Sequence, residues 1–204
     1  MTFPTPARSS NRRPSPSRGE LRFTIGESSL GLVLIAQSAS GLSAVLFGDD
    51  RQALRRELQS RFPRTTLVEG EAIAADSLAA KVLELVESPA EALEVPLDLR
   101  GTDFQRKVWQ ALQTIPAGST VSYTDIATRI GVPTAVRAVA RACGANPLAV
   151  VVPCHRVISR GGKLSGYHWG PERKQALLAR ESATAKRTLD PINLDASRTA
   201  QAES

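Results

Sequence analysis

The chain has 204 residues, 42% of them apolar and 23% charged, with a net charge of +6, which is ordinary for a globular protein that builds its own core. Its two cysteines exclude a disulfide framework and a four-cysteine zinc site, so we expect a reducing compartment and no structural metal. No segment approaches the roughly 18 apolar residues of a membrane span, and the first residues lack an apolar signal region. We therefore expect a cytosolic protein without a membrane partner.

Charge divides the chain into four segments. Residues 1–19 contain four Pro, four Ser and four Arg and hardly an apolar side chain, which predicts a disordered basic arm. Residues 20–100 are net acidic and residues 101–184 net basic, and the neutral residues 185–204 are predicted to be a disordered tail. A basic domain beside an acidic one favours a polyanionic partner, although a solvated basic face explains the charge equally well.

Residues 20–100 are predicted to form an α/β scaffold domain. The β-rich runs Leu21–Ile25, Leu30–Gln37 and Leu42–Phe47 are separated by turn signals, which indicates an antiparallel meander. Apolar residues at helical spacing predict helices over Asp49–Phe62 and Asp76–Glu87. This region contains no His, Cys or Tyr, so we find no catalytic constellation in it.

Residues 101–184 are predicted to be mostly helical. Thr102 can cap a helix that continues to Leu112. A short helix over Ser122–Ile130, a tight turn over Gly131–Pro133 and a helix over Thr134–Gly144 then follow. This succession is typical of a helix-turn-helix, but many helical domains contain such a corner, so by spacing alone DNA binding has about even odds.

The second of these helices has an unusual composition. We expect a core stripe of Val136, Val139, Ala140 and Cys143 and a thin second face of Ala135, Ala138, Ala142 and Ala145. A thin face lets the helix backbone approach a groove closely, and Arg137 and Arg141 interrupt it with positive charge. The alternative is that the alanines merely raise helix propensity.

The chemistry is expected at Cys154. The apolar run Leu148–Val152 predicts a buried strand, and Pro153 then forces a turn that would place the thiol at the floor of a cleft. A thiol needs activation, for which His155 is the candidate base and Arg156 a candidate positive neighbour. Because Cys154 and His155 are adjacent in sequence, a bridge through water is favoured over direct contact. Alone the dipeptide is a weak signal, and burial of either residue in a core is the simpler interpretation.

A set of motifs between residues 100 and 181 makes the interpretation specific: Arg100-Gly101-Thr102, Val121-Ser122-Tyr123, Val136-Arg137-Ala138-Val139, Asn146-Pro147, Pro153-Cys154-His155-Arg156-Val157 and Ser165-Gly166-Tyr167. This region closely resembles the O6-alkylguanine-DNA alkyltransferase family, nearest to the C-terminal half of bacterial Ada-type proteins, and the resemblance extends back to about Leu21. The fold it implies is a small ribonuclease-H-like sheet with helices, followed by a mostly helical domain with a winged-helix-like helix-turn-helix.

The resemblance implies a repair protein that transfers an alkyl group from O6 of guanine, and also from O4 of thymine, to its own cysteine without a cofactor. Cys154 is then the acceptor, and His155 deprotonates it through a water molecule. Glu181, at the end of a helix over Pro171–Arg180, holds His155 in the useful tautomer, and Asn146 braces the network. The implied partner is double-stranded DNA containing alkylated guanine, bound by a monomer.

Further roles follow from the same resemblance. Tyr123 promotes rotation of the damaged base and hydrogen-bonds it, and Tyr167 forms a wall of the alkyl pocket. The backbone of Val157 and the segment around Tyr167 and His168 read the flipped base. Arg137 fills the vacated stack.

The remaining implied contacts lie in the minor groove, where Ala135, Val136 and Ala138 match the slim helix surface of the family. Two positions depart from the family pattern. Thr134 stands where Lys is expected, and His168 stands where relatives carry Ser or a basic residue, which either alters the pocket or, as we favour, lines its rim. The four-cysteine zinc domain of Ada-type proteins has no counterpart here, since the chain holds two cysteines.

Two other classes of function stay open. A non-enzymatic lesion-binding or regulatory DNA-binding protein on the same fold is the first, although lesion binders replace the cysteine that is present here. A cysteine hydrolase is the second, but it needs an oxyanion hole and a separate orienting residue, and the basic helix-turn-helix disfavours it.

Overall fold

A computed structural model describes residues 19–70, 73–74, 77–89, 91, 93–161 and 166–189, with side chains of the last helix as far as residue 184. Residues 1–18 of the predicted arm (1–19) and the tail from residue 190 lie outside the described residues. No helix within these ranges is long and apolar enough to cross a membrane.

The N-terminal region is built on a four-stranded sheet in the order β3-β2-β1-β4. Its strands are β1 (Glu20–Ser28), β2 (Gly31–Ser38), β3 (Gly41–Gly48) and β4 (Thr66–Glu69). The first three form the antiparallel meander that the turn signals predict, while β4 lies parallel to β1 with Leu21 opposite Leu67. The fourth strand, which the sequence did not indicate, extends the sheet at its β1 edge.

The turn before β3 requires a glycine. Gly41 has a φ of +139°, and a Cβ there would collide with the Pro96 backbone. This close approach lets Leu42 exchange backbone hydrogen bonds with Pro96 and Asp98. The linker between the two regions is thereby tied to the edge of the sheet.

Two helices cover the sheet, α1 (Arg51–Arg61) and α2 (Leu78–Glu87). Asp50 and Ser77 cap them by accepting hydrogen bonds from the N–H groups of the third residue after each cap. α1 buries Leu54 and Leu58 and packs on β3, while α2 packs on β1. The predicted α/β layer is confirmed.

The C-terminal region is mostly helical, as predicted. It contains α3 (Asp103–Gln113), α4 (Tyr123–Arg129), α5 (Val136–Gly144) and α6 (Pro171–Leu189), with short parallel strands β5 (Val121–Ser122) and β6 (Val157–Ile158). Thr102 and Ser122 each form a reciprocal capping box at the start of α3 and α4. α3, α4 and α5 pack on one another.

The helix-turn-helix is formed by α4 and α5, joined by a turn in which Gly131 adopts a φ of +78°. α5 begins at Val136 and not at Thr134, because Ala135 has a non-helical ψ of 26° and belongs to the turn, where its N–H bonds the Val132 carbonyl. The core stripe also differs from expectation. Ala142 is buried, and its carbonyl accepts a hydrogen bond from the buried Trp109 Nε1, whereas Ala140 is half-buried.

The run Leu148–Val152 is buried but is not the predicted strand. Leu148 bridges Val45 of β3, and the chain then turns, with Val150 at a φ of +65°. The turn is closed by a hydrogen bond from the Val152 N–H to the Leu148 carbonyl. The buried apolar side chains therefore stabilise a compact turn, and this turn leads directly to Cys154.

The last helix is longer than predicted. α6 runs from Pro171 to Leu189, so it passes residue 180 and continues five residues into the segment 185–204 that was predicted to be a tail. Glu181 therefore lies in the interior of a continuous helix, which fixes its side chain against the site.

Candidate active site

Cys154 lies at the start of a single 3₁₀ turn, Cys154–Arg156, that follows Pro153. The residue is 5% exposed. The thiol is therefore buried and follows the Leu148–Val152 turn rather than a strand, and its position at the floor of a cleft stays a prediction.

Asn146 is bonded directly to the thiol. Its Nδ2 lies 3.2 Å from Cys154 Sγ and 2.8 Å from the Val152 carbonyl oxygen. The amide cannot be reversed, because its Oδ1 accepts a hydrogen bond from the Leu148 N–H at 2.9 Å. Asn146 therefore presents an N–H to sulfur, and such a bond is worth more to a thiolate than to a thiol.

Burial raises the pKa of the Cys154 thiol, while the Asn146 hydrogen bond and the positive charge of Lys174 act against that rise. Lys174 is fully buried, and its Nζ lies 2.5 Å from the Val157 carbonyl oxygen. The thiol thus rests in its neutral form in a site that contains groups able to stabilise its anion.

His155 is fully buried and pairs with Glu181, with 2.8 Å between Nε2 and Oε1. Burial lowers the pKa of His155 and outweighs the opposing effect of Glu181, so the ring is neutral. The pKa of Glu181 is lowered, because hydrogen bonds from His155 and Arg156 outweigh its burial. The ionised Glu181 carboxylate can only accept hydrogen bonds, so the His155 ring proton lies on Nε2 and Nδ1 is left as an acceptor. Nδ1 is buried without a partner among the described residues.

Arg156 has a different position from the one expected. Instead of neighbouring the thiol, its guanidinium donates to Glu181 and to the carbonyls of Ile115 and Pro89. Glu181 also accepts a hydrogen bond from the Gly118 N–H at 3.0 Å. Arg156 therefore holds the carboxylate that holds His155, and the positive charge near sulfur comes from Lys174 instead.

Two tyrosines lie near the thiol. Burial and the nearby sulfurs of Cys143 and Cys154 raise the pKa of Tyr123 to about 12, and Tyr167 shifts in the same direction. Gly166, at a φ of +89°, lies against the Tyr123 hydroxyl, where an added Cβ would come within 3.3 Å of the oxygen. Both phenols therefore stay protonated, as donors, beside Cys154.

Val157 and His168 are engaged within the protein. The Val157 N–H donates to the Cys154 carbonyl, and its own carbonyl accepts from Lys174. The His168 side chain is exposed, and its Nε2 lies 2.9 Å from Glu57 Oε1 in α1. That these two residues read the base, and that His168 lines the rim of the pocket, stay predictions.

The predicted DNA-binding side chains share the start of α5. Thr134 and Arg137 are exposed, while Ala135, Val136 and Ala138 are half-buried. The predicted slim surface and the arginine thus lie together at the start of the second helix of the helix-turn-helix.

Lys174 was missed by sequence reasoning, although a signal for it existed. It lies seven residues before Glu181 and three before the buried Leu177, so all three share one face of α6. A lysine on a buried helix face is rarely accidental, because burial of its charge is costly unless it serves a partner.

Within the described ranges no cluster of three or more His, Cys, Asp or Glu side chains could hold a metal ion. The fold and the site together define a helix-turn-helix protein with a buried, braced thiol and a neutral imidazole oriented by a carboxylate.

Known proteins with this arrangement are found by comparison. The sequence model of the 6-O-methylguanine DNA methyltransferase DNA-binding domain matches residues 103–183. The chain is 43% identical over 147 residues to the inducible methylated-DNA--protein-cysteine methyltransferase of Bacillus subtilis, which covers 69% of this chain and 80% of that protein. It is 46% identical over 167 residues to the bifunctional transcriptional activator/DNA repair enzyme Ada of Escherichia coli, which covers 82% of this chain and 47% of Ada.

The structure is similar to that of Mycobacterium tuberculosis OGT crystallised in complex with DNA, with a TM-score of 0.67 and 39% identity. That match covers 79% of this chain and 93% of the other. The chain belongs to the methylated-DNA--protein-cysteine methyltransferase family. It spans about half the length of the first curated relatives that it matches, between 46% and 53%.

Proposed function

We propose that this protein repairs DNA by transferring an alkyl group from O6 of guanine, and from O4 of thymine, to Cys154. The observation that carries the proposal is the hydrogen bond from Asn146 to Cys154 Sγ, beside a His155 whose tautomer Glu181 determines. Membership of a family named for methyl transfer to a protein cysteine supports it. The helix-turn-helix beside the site is suited to DNA.

In the proposed reaction the thiol proton moves to His155 Nδ1 through a water molecule, and the positive charge that forms is stabilised by Glu181. The thiolate attacks the alkyl carbon, so that the S–C bond forms as the C–O6 bond breaks. The electron pair of that bond remains on guanine, which takes a proton from water, while His155 returns the thiol proton to water, so that both end neutral. Tyr123, held protonated by its high pKa, supports the departing base by donating a hydrogen bond.

The reaction is proposed to occur once per protein molecule. The product is a thioether, which has no leaving group that water can displace readily. No cofactor is required, since the acceptor, the base and the donors all belong to the chain. Cys154 is consumed as a reagent.

Access to the lesion requires base flipping, since O6 of guanine lies inside the duplex. We propose that a monomer lays the Ala135–Ala138 surface of α5 in the minor groove and that Arg137 fills the space of the rotated base. This step costs a few kcal/mol and is cheapest at a damaged pair. The cytoplasm is the proposed location, as the place where DNA and reduced thiols coexist in bacteria.

Intact-mass measurement after incubation with duplex DNA containing O6-methylguanine tests the proposal. We expect stable gain of one methyl group, located at Cys154 by peptide mapping, and no gain with undamaged DNA. An unchanged mass despite binding would favour a lesion-binding protein, and repeated turnover without stable modification would favour a hydrolase. Either result would contradict the proposed function.

A further inference from the structure

Helix α1 of the N-terminal region contacts the thiol site of the C-terminal region. Arg61, in the last turn of α1, donates from Nη1 to the Ala145 carbonyl oxygen at 3.2 Å. Ala145 directly precedes Asn146, whose amide is bonded to Cys154 Sγ. Arg61 of the N-terminal region therefore holds the backbone directly before Asn146, whose amide is bonded to Cys154 Sγ.

The same helix also contacts a second segment of the site, Tyr167–Trp169. Glu57 accepts a hydrogen bond from His168 Nε2 at 2.9 Å, and the Arg61 guanidinium lies 5.9 Å from the Trp169 ring centroid. Trp169 in turn packs edge-on against Tyr167, with 5.3 Å between ring centroids. The wall beside the thiol is thus attached to α1 at two neighbouring residues.

Glu57 and Arg61 act as one unit. They are one helical turn apart, and Arg61 Nε and Nη2 lie 2.9 and 2.8 Å from Glu57 Oε1. Their side chains are 26% and 16% exposed, so this pair is shielded far better than an ordinary surface ion pair. Because the fork of Arg61 is held by Glu57, its remaining N–H group has a defined direction toward Ala145.

We propose that Glu57 and Arg61 are positioning residues for alkyl transfer, which hold the Asn146 brace and the Tyr167–Trp169 wall at a fixed separation around Cys154. The proposal rests on the proposed function. Its physical basis is that a reacting group must be held close to its productive geometry, and a misplacement of about 1 Å can cost about 10²-fold in rate. The positive charge of Arg61 also favours the thiolate of Cys154, although less than Asn146 and Lys174 do.

The helix provides a matched control in Arg55. It too makes an ion pair, with Glu69 at 2.9 Å, and lies 5.6 Å from an aromatic ring centroid, that of Phe23. These contacts stay within the N-terminal region. Arg55→Leu and Arg61→Leu thus remove the same groups from the same helix, but only the second variant loses contact with the thiol site.

The test is the single-turnover reaction of each full-length variant with O6-benzylguanine, followed by intact mass as a function of reagent concentration. This separates the first-order rate constant at saturation from the concentration at half-saturation, and the final extent of labelling gives the active fraction. We expect Arg61→Leu to lower the saturated rate constant about tenfold at an unchanged active fraction, and Arg55→Leu to leave it unchanged.

Two further variants separate positioning from general stability. Arg61→Lys keeps the charge and one hydrogen bond, so we expect it to recover part of the lost rate. Glu57→Gln combined with Arg61→Leu should lose little more than Arg61→Leu alone, since the two residues form one unit. Thermal unfolding of each variant provides the stability comparison.

Equal saturated rate constants for Arg61→Leu and Arg55→Leu would overturn the proposal. The proposed function would still stand if the wild type formed the adduct at Cys154. A loss confined to the active fraction would also overturn it, because that would mean impaired folding. A wild-type protein that forms no adduct at Cys154 would contradict both.

Discussion

The two regions of this protein stabilise themselves in different ways. In the described part of the sheet region the buried polar side chains are Ser38 and Ser43. Their small hydroxyls donate hydrogen bonds to the Gly41 carbonyl at the turn before β3. The helical region instead buries an amide, an imidazole and three ionisable chains, namely Asn146, His155, Arg156, Lys174 and Glu181. Burial of such groups costs free energy unless each finds a partner.

The contrast indicates which region is organised for chemistry. A hydrophobic core such as the one under α1 and α2 contains no buried charges among the described residues. Charged side chains gathered around one sulfur lower stability, so their presence is typical of a functional site. The sheet region is nevertheless more than a support, since Arg61 reaches Ala145 and Arg156 reaches Pro89. The predictions below test how sharply chemistry and support are divided.

The largest effect is expected at the thiol itself. Cys154→Ala should abolish alkyl transfer while leaving binding to alkylated duplex largely intact, because sulfur makes the covalent bond but few groove contacts. Cys143→Ala is the matched control, since Cys143 is also buried and burial raises the pKa of its thiol too. Intact-mass measurement reports alkyl transfer and a DNA-binding assay reports affinity for both variants. Transfer that survives in Cys154→Ala and disappears in folded Cys143→Ala would reverse the assignment.

Next in size is the loss of the carboxylate behind His155. Glu181→Gln should slow transfer roughly 10²-fold, the range typical of lost general-base assistance. Because burial raises the pKa of Cys154, its thiolate fraction grows as pH rises, so the variant should recover part of its rate at higher pH. Single-turnover rates across the pH range measure this.

The exposed Glu172 in the first turn of the same helix supplies the control, and Glu172→Gln should behave as the wild type. The rates must be referred to folded protein, since Glu181→Gln also leaves Arg156 without its anion and should lower the free energy of unfolding by about 3–5 kcal/mol. A pH–rate profile that matches the wild type would remove Glu181 from the relay.

Arg137 tests base flipping. Arg137→Ala should slow repair of duplex DNA about tenfold, equivalent to about 1.4 kcal/mol of a flipping cost of a few kcal/mol, with little effect on free O6-benzylguanine. Arg141→Ala, one turn later on the same helix and also exposed, should mainly weaken DNA binding and reduce its salt dependence by about one phosphate contact. Equal losses on duplex and free base would make Arg137 a structural residue.

The smallest effect on transfer is expected in the core of the sheet region. Leu34→Ala, at a fully buried position of β2, should lower the free energy of unfolding by about 2–5 kcal/mol. The transfer rate of the molecules that remain folded should not change. Denaturant unfolding and single-turnover kinetics provide the two measurements. A reduced rate at full folding would show that the sheet region affects chemistry well beyond α1.

Much of the local structure could be predicted from the sequence. The cap at Thr102 and the apolar periodicity of the helices depend on residues a few positions apart, so the cap of α3 was predicted correctly and the starts of α1, α2 and α4 were predicted to within two residues. The start of α5 was misjudged, because Ala135 caps it without a side-chain hydrogen bond and so gives no capping signal in the sequence. The apolar run before Pro153 was taken for a strand, since burial without alternation does not distinguish a strand from a buried turn.

The candidate site was predictable as far as motifs reach. The pattern of residues alone pointed to Cys154 and His155, and the family resemblance added Asn146 and Glu181. It could not place the Arg156 guanidinium, which turns from the thiol to Glu181 because the carboxylate of α6 and two carbonyls from distant segments converge on it. Nor could it bring Lys174 to Val157, or Arg61 to Ala145.

The sequence by itself therefore determined the three-stranded meander, most of the helices, the division into an acidic α/β layer and a basic helical region, and the candidate thiol. Tertiary structure alone decided the parallel pairing of β4 with β1, the groups that surround sulfur and the contact of α1 with the site. The physical reason is range. Caps and periodicity act between residues within about one turn, whereas the charges that tune Cys154 and the bonds that brace it join residues far apart in sequence, whose meeting depends on how the whole chain packs.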